Sequence, residues 1–324
     1  MKTLLTYTAR AYRSSYLSVF GKNVVNLMEG TLLRSENHYG NIFELPTSNN
    51  FNFLKYQPDL CVPFNNSCDL VELSDLRNVV NLKNALKDVH RDDLFSAHKR
   101  MDATGRAARR LFNTRYTIRL TRAAMKIAEV NQLVDSTLTS QNPNSLLEFA
   151  DLCCGDGGFT EYVLFVRNGW TAKGYNITLK SPNNQASEIK SKLVNTESTV
   201  VHFGTGDGDL LNFENIKSFS EFVRMSTDDK GVDLVLADGA FECLGFEQHQ
   251  ETMTFPLFVT EVMTCLSILK LGNLYNLTGG NFCLKIFDVY TSNTAALLFI
   301  LCSLFKKVYI VKPASSRASN SEKF

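Results

Sequence analysis

Four polar features of this sequence stand where an ordinary fold gains nothing from them. Lys285 interrupts the apolar run Phe282-Cys283-Leu284-Lys285-Ile286-Phe287. A buried charge without a partner costs several kcal/mol, so this lysine requires compensation. Asp238, which closes the apolar stretch Leu234-Val235-Leu236-Ala237, is the natural candidate. Such a pair can move a proton if its surroundings lower the lysine pKa from about 10.4 by roughly 3 units. The third feature is the turn Cys153-Cys154-Gly155-Asp156-Gly157-Gly158-Phe159, between an apolar run ending at Leu152 and a segment opening on Thr160 and Glu161. Glycines in a strand-turn-helix let the backbone turn sharply against a ligand. Dinucleotide-binding proteins seat a pyrophosphate there. Asp156 would repel that anion and favours a ligand with a cationic part, a description met by S-adenosyl-L-methionine (SAM). The fourth is Gly206-Asp207-Gly208-Asp209, whose carboxylates can accept hydrogen bonds from an amino group or a ribose hydroxyl. Each feature also has a plainer reading: a structural salt bridge for the pair, and tight or solvated turns for the loops.

Taken with other segments, these features resemble a known family. The pieces Arg122-Ala123-Ala124-Met125-Lys126, Asp151 to Leu164, Gly206 to Asp209, Ala237-Asp238-Gly239, Cys283-Leu284-Lys285 and Lys312 to Glu322 are similar to the FtsJ-type cap 2′-O-methyltransferases. They occur in the family's order over residues 111 to 324 or so. The resemblance implies SAM-dependent methylation of a ribose 2′-hydroxyl of RNA, with the first transcribed nucleotide of capped mRNA as the expected acceptor. It implies a catalytic set of Lys126, Asp238, Lys285 and Glu322. It also implies cofactor contacts at Cys153, Cys154, Gly155, Asp156, Gly157, Gly158, Phe159, Asp209, Leu210 and Thr121. Arg106, Gln248, His249 and Gln250 are the implied cap and RNA contacts. Asp156 replaces the family's proline, and Thr121 stands where an asparagine contacts SAM.

Methyl transfer from a sulfonium to a 2′-hydroxyl needs an in-line approach and a base for a weak acid. Lys285 is the candidate base. Asp238 and Glu322 oppose loss of its proton, whereas Lys126, desolvation and the sulfonium charge favour it. The alternatives are a 2′-O-methyltransferase for rRNA, tRNA or other uncapped RNA, and an inactive RNA-binding relative. An NAD-dependent dehydrogenase fits poorly, because the second strand ends on Asn176 and Thr178 rather than a ribose-binding acid. A base methyltransferase lacks its Asn/Asp-Pro-Pro-aromatic motif after the fourth strand.

The elements that must position these residues follow from periodicity. Short apolar runs alternating with amphipathic segments predict a parallel α/β sheet. Strands are expected at 146–153, 171–177, 199–203, 232–237, 281–287 and 307–311. Helices are expected at 158–167, 216–225, 256–271 and 294–305. Periodicity thus gives an α/β fold, and the resemblance implies a Rossmann-like SAM-dependent methyltransferase sheet with helices on both faces, preceded by a helical and irregular N-terminal extension. Three regions are expected: an extension of unread role at 1–75, a basic helical region for RNA or cap at 76–135, and the methyltransferase domain at 136–324. Methyltransferases of this class continue into an antiparallel seventh strand. Ending at Phe324, the sequence predicts a gap there, or an N-terminal segment filling it.

Composition is that of a globular protein, with 324 residues, 44% hydrophobic, 21% charged and a net charge of +1. That balance hides nine Lys or Arg against one acid, Asp102, between Lys99 and Lys126, a local anion-binding signal. Arg115, Arg119, Arg122 and Lys126 share one helical face, a stripe suited to phosphates. The eight cysteines include no C-x-x-C pair and read as reduced core residues, and no zinc site is expected. No stretch has the apolar length of a membrane span. The acid-free first 28 residues resemble a transit peptide loosely. A nuclear location is expected for a cellular cap enzyme and a cytoplasmic one for a viral enzyme, with a mitochondrial location less favoured.

Overall fold

The computed structural model describes residues 41–45, 47, 73–85, 88–90, 92–93, 96–97, 121–139, 144–180, 193, 195–243, 246–272, 279–316 and 320–324. Arg106 and the rest of the basic segment before Thr121 lie outside the described residues, as does most of the N-terminal extension.

Five strands form a parallel sheet in the order β4-β3-β2-β5-β6: β2 (Leu147–Leu152), β3 (Ala172–Ile177), β4 (Thr199–His202), β5 (Leu234–Ala237) and β6 (Asn281–Leu284). The central strands are apolar on both faces because both are covered. Helices α2 (Arg122–Leu133) and α3 (Gly158–Val166) cover one face, where Ile127, Phe159 and Val163 pack with Phe149 and Leu236. Helices α4 (Phe213–Ser226), α5 (Gln250–Ile268) and α6 (Ser292–Leu304) cover the other, burying Phe219, Phe258 and Leu301 with Leu152 and Val235. Each such side chain contributes about 2 kcal/mol by leaving water. Chain direction across the sheet reverses between β2 and β5. Crevices at the carboxyl ends of such strands are where open α/β sheets bind ligands.

The expected elements are recovered within a few residues, but the strand expected at 307–311 lies outside the parallel sheet, the strand expected at 281–287 ends at Leu284, and one helix starts earlier than its proline suggested. Helix α5 begins at Gln250, six residues before Pro256, the residue that marked its start in the sequence. Proline favours the first turn because it donates no backbone hydrogen bond. Here the helix accepts that loss internally. Its first turn is anchored by Glu251, which accepts hydrogen bonds from the amides of Tyr290 and Thr291 at 2.8 and 2.9 Å and from the Thr291 hydroxyl at 2.8 Å.

A second, two-stranded sheet pairs β1 (Asn41–Leu45) antiparallel with β7 (Val308–Lys312), from Asn41 opposite Lys312 to Leu45 opposite Val308. Lys323 exchanges two backbone hydrogen bonds of 2.8 Å with Ile286, and Phe324 exchanges two with Val311 at 2.6 and 2.8 Å. The gap expected between these strands is therefore bridged by the last two residues. The Phe324 ring lies 5.9 Å from that of Phe159. Helix α1 (Leu73–Ala85) packs against a 3-10 turn, Glu247–His249, and its Lys83 pairs with buried Asp288.

Candidate active site

The turn after β2 leads directly into α3. Gly157 adopts φ 82° and begins the helix without a side-chain cap. A Cβ on Gly157 would meet Leu193 Cγ at 2.4 Å, and one on Gly158 would meet Thr121 Oγ1 at 2.2 Å. Glycine is thus required by conformation and space at Gly157 and by space at Gly158. Thr121 stands against this turn as the cap of α2, its hydroxyl accepting from the Ala124 amide at 3.3 Å. Cys154, Gly157, Gly158 and Phe159 are buried, whereas Asp156 is exposed. Beneath the turn, Asp151 Oδ2 accepts from the Thr160 amide at 3.1 Å and lies 2.7 Å from its hydroxyl. Burial pushes the Asp151 carboxyl up to about 7, against the Thr160 hydrogen bonds and with help from Asp238.

The acidic loop folds on Asn215, whose amide donates to Asp207 Oδ1 at 2.5 Å and to the Asp209 carbonyl at 2.8 Å. The Asp209 amide and Asn215 hold the Asp207 carboxyl below the usual carboxylate range. Asp209 Oδ1 in turn accepts from Leu211 at 2.9 Å, and Leu210 is buried beside it. A Cβ on Gly208 would lie 1.9 Å from the Thr178 carbonyl, so the loop closes tightly on the end of β3.

Lys126, Asp238, Lys285 and Glu322 converge at the carboxyl edge of β5 and β6. The Lys285 amide continues the ladder onto Ala237 at 2.9 Å, which brings its side chain alongside Asp238. Lys285 Nζ lies 2.8 Å from Asp238 Oδ1 and donates to the Asp238 carbonyl at 2.7 Å. Lys126 Nζ lies 2.5 Å from Glu322 Oε1. Burial alone would lower the Lys285 pKa, but Asp238, Glu322 and Glu261 outweigh it and hold it above the ordinary lysine value. Burial likewise works against the Glu322 carboxylate, and Lys126 and Lys285 prevail, holding it below the ordinary value. The two pairs form one alternating electrostatic group.

Gln248, His249 and Gln250 lie at the start of α5, His249 exposed and the two glutamines half-buried. Gln248 and His249 are on the turn that packs against α1, and Gln250 opens the helix.

Several residues of the site were not singled out in the sequence. Lys312 gathers the loop before Glu322, donating to Ser316 Oγ at 3.0 Å, Asn320 Oδ1 at 2.9 Å, and the carbonyls of Asn320 and Glu322 at 2.9 and 2.8 Å. Burial and the neighbouring Lys323 bring its ammonium down to about 7. Glu129, one helical turn from Lys126, accepts from the amides of Ala314 and Ser315 at 2.6 and 2.8 Å. One face of α2 thus grips both ends of this loop. Glu261 lies fully buried below Asp238. Of these, only Lys312 lay in a segment that carried a signal, as the first residue of the block Lys312 to Glu322, and nothing there gave it a role.

A parallel sheet with this strand order and a ligand edge built in this way defines a Rossmann-like methyltransferase. The chain belongs to the FtsJ-like methyltransferase family, whose model matches residues 120–324, and enzymes of this family use SAM. It is 38% identical over 220 residues to cap-specific mRNA (nucleoside-2'-O-)-methyltransferase 1 of Mus musculus, covering 63% of this chain and 25% of the relative. With the Drosophila melanogaster protein of the same name it shares 32% over 260 residues, covering 77% and 31%. The chain thus spans about a quarter to a third of the length of these relatives. A crystal structure of a ribosomal RNA methyltransferase from Plasmodium falciparum is similar at 18% identity and a TM-score of 0.41, over 60% of this chain and 97% of that one.

Proposed function

We propose that this chain methylates the ribose 2′-hydroxyl of RNA, with the first transcribed nucleotide of capped mRNA as its substrate. The observation that carries this reading is the group Lys126–Glu322 and Lys285–Asp238 at the sheet edge. A 2′-hydroxyl is a weak acid, so the chemistry needs groups that orient it and take its proton, and this cluster has both kinds. The mRNA cap as target rests on the named relatives, which share the matched segment.

The ligand edge suits SAM. The start of α3, where Gly157 supplies no side-chain cap, offers backbone N–H groups, and its glycines let the turn pack closely against Leu193 and Thr121. Asp151 Oδ1 is buried below the turn without a hydrogen-bond partner. In this reading residues Cys153 to Phe159 and Thr121 hold the methionine end, and Asp209 with Leu210 the adenosine. When bound, SAM supplies an electrophilic methyl group on a cationic sulfur. Lys285 takes the hydroxyl proton, and Asp238 aims Lys285 through its carboxylate and its carbonyl. Lys126 keeps Glu322 ionised and in place. In the cluster as it stands Lys285 retains its own proton, so base action requires added positive charge nearby. Arg106, Gln248, His249 and Gln250 serve as RNA and cap contacts in this reading, and a nuclear location follows for a cellular cap enzyme.

Transfer of tritiated methyl from SAM to capped and uncapped forms of one short RNA tests the proposal. Label is expected at the 2′-oxygen of the first nucleotide of the capped form. Equal labelling of both forms would remove the cap from the proposal, and label on a base would remove the reaction. Lys285→Met is expected to slow transfer by about 10²-fold or more, the usual range for loss of a general base, while SAM affinity changes little.

A further inference from the structure

Glu261 is a carboxylic acid with no exposed surface, on α5, where it meets the residues that hold Lys285. Its Oε1 accepts a hydrogen bond of 2.9 Å from the Gly239 amide. Gly239 follows Asp238, and a Cβ there would stand 2.4 Å from Glu261 Oε1 and 2.7 Å from Leu257 Cδ2. The carboxyl therefore fixes the peptide that leaves Asp238. Lys285 hydrogen-bonds to the carbonyl of Asp238 as well as pairing with its carboxylate, so a shift of this backbone moves the lysine. Glu261 Oε2 is buried without a hydrogen bond of normal geometry, with the Cys153 thiol beside it.

We propose that Glu261 is a positioning residue for the methyl-transfer reaction, holding the Asp238–Gly239 turn and through it the side chain of Lys285. The inference rests on the function proposed above for its catalytic consequence, but not for the state of the carboxyl. Burial, opposed by Lys285 and the Gly239 amide and aided by Asp238, pushes the Glu261 carboxyl up to about 8. The groups facing it are Asp238 from the end of β5, Lys285 beyond β6 and Cys153 from the turn after β2. Lys285 also feels Glu322, which is paired with Lys126 of α2. Below about pH 8 Glu261 is neutral and leaves Lys285 to respond to the other groups. Above it, a second buried negative charge raises the lysine further and delays its action as a base.

Two variants separate geometry from charge. Glu261→Gln keeps an oxygen for the Gly239 amide and stays neutral at every pH. Its kcat should match wild type near pH 7 and exceed it by up to about tenfold near pH 9, where the ionised wild-type carboxyl holds the proton on Lys285. Glu261→Leu removes the acceptor and should lower kcat about tenfold at both pH values, with SAM affinity within about twofold, in the range of a lost buried hydrogen bond. Independently of activity, the difference infrared spectrum should contain a protonated-carboxyl band that titrates near pH 8 and is missing from Glu261→Gln. Absence of that band overturns the proposal, as does a kcat of Glu261→Gln that parallels wild type across the pH range. An enzyme that methylates no RNA but shows the band refutes the proposed function and leaves the buried neutral carboxyl supported.

Discussion

Thr160 has one hydroxyl proton and two oxygens in reach, Asp151 Oδ2 at 2.7 Å and Asn176 Oδ1 at 2.6 Å. Asn176 is fixed by its amide group, which donates to Thr199 Oγ1 at 2.6 Å and to the Val200 carbonyl at 3.0 Å. Its oxygen must therefore accept, and the Thr160 proton goes to it. The remaining contact requires Asp151 to donate, hence to be protonated, in agreement with a pKa pushed up to about 7 by burial. The sign of the consequence is definite. Between the ordinary value of 3.8 and about 7 the folded state binds a proton that the unfolded state has lost, so stability attributable to Asp151 falls as pH rises across this window. Asp151→Asn gives up one hydrogen bond but has no proton to lose. In urea denaturation its deficit against wild type is expected to narrow between about pH 5 and about pH 8, and a constant deficit would contradict the assignment.

Among the elements, α1 is attached through a specific buried ion pair. Lys83 pairs with Asp288 and lies 5.9 Å from the centre of the Tyr290 ring. Asp288 is fully buried, and its carboxyl is held below the usual range because Lys83 and Lys323 outweigh the effect of burial. Lys323 is buried too, donates to the carbonyls of Phe287 and Ser321 at 3.2 and 2.8 Å, and has its ammonium brought down to about 8 by burial. Helix α1 is thus tied to the residue next to Glu322. Lys83→Met leaves Asp288 with Lys323 alone. A loss of about 2 kcal/mol is expected by chemical denaturation, less than for a buried charge left with no partner, together with faster proteolysis in 73–85. Unchanged protection of this helix would show that the pair does not hold it.

The sequence made most of the ligand edge legible because its signals are local. A lysine inside an apolar strand, an aspartate at the end of another, and a glycine turn between strand and helix each announce themselves within about ten residues. Glu261 does not: it shares a helical face with Leu257, Phe258, Cys265 and Ile268, but the segment is apolar on most faces, so nothing local tells a buried acid from a solvated one. Its hydrogen-bond partner, the Gly239 amide, lies 22 residues away in the chain. Lys83 and Asp288, and Glu129 and the amides of residues 314–315, are likewise partners only after folding. Pro256 was misleading for the complementary reason: a local preference for helix starts was overruled by Glu251 gripping residues 290 and 291.

At the scale of the molecule, the pairing of β1 with β7 joins positions near opposite ends of the sequence. The entropy lost on closing a loop grows with its length, slowly but without compensation until the contact forms. The β2–β3 pair encloses far less chain, and the β2–β5 pair is intermediate. The order of assembly should therefore run outward from β2, with the β1 edge last. In pulse-labelled hydrogen exchange during refolding, amides of 147–152 are expected to gain protection before those of 308–312, and the reverse order would refute this sequence of events. The carboxyl ends of β2 and β5 would then stand in their final register while β1 is still searching for its partner, making the outermost strand a late-arriving clasp on a chemical site assembled without it.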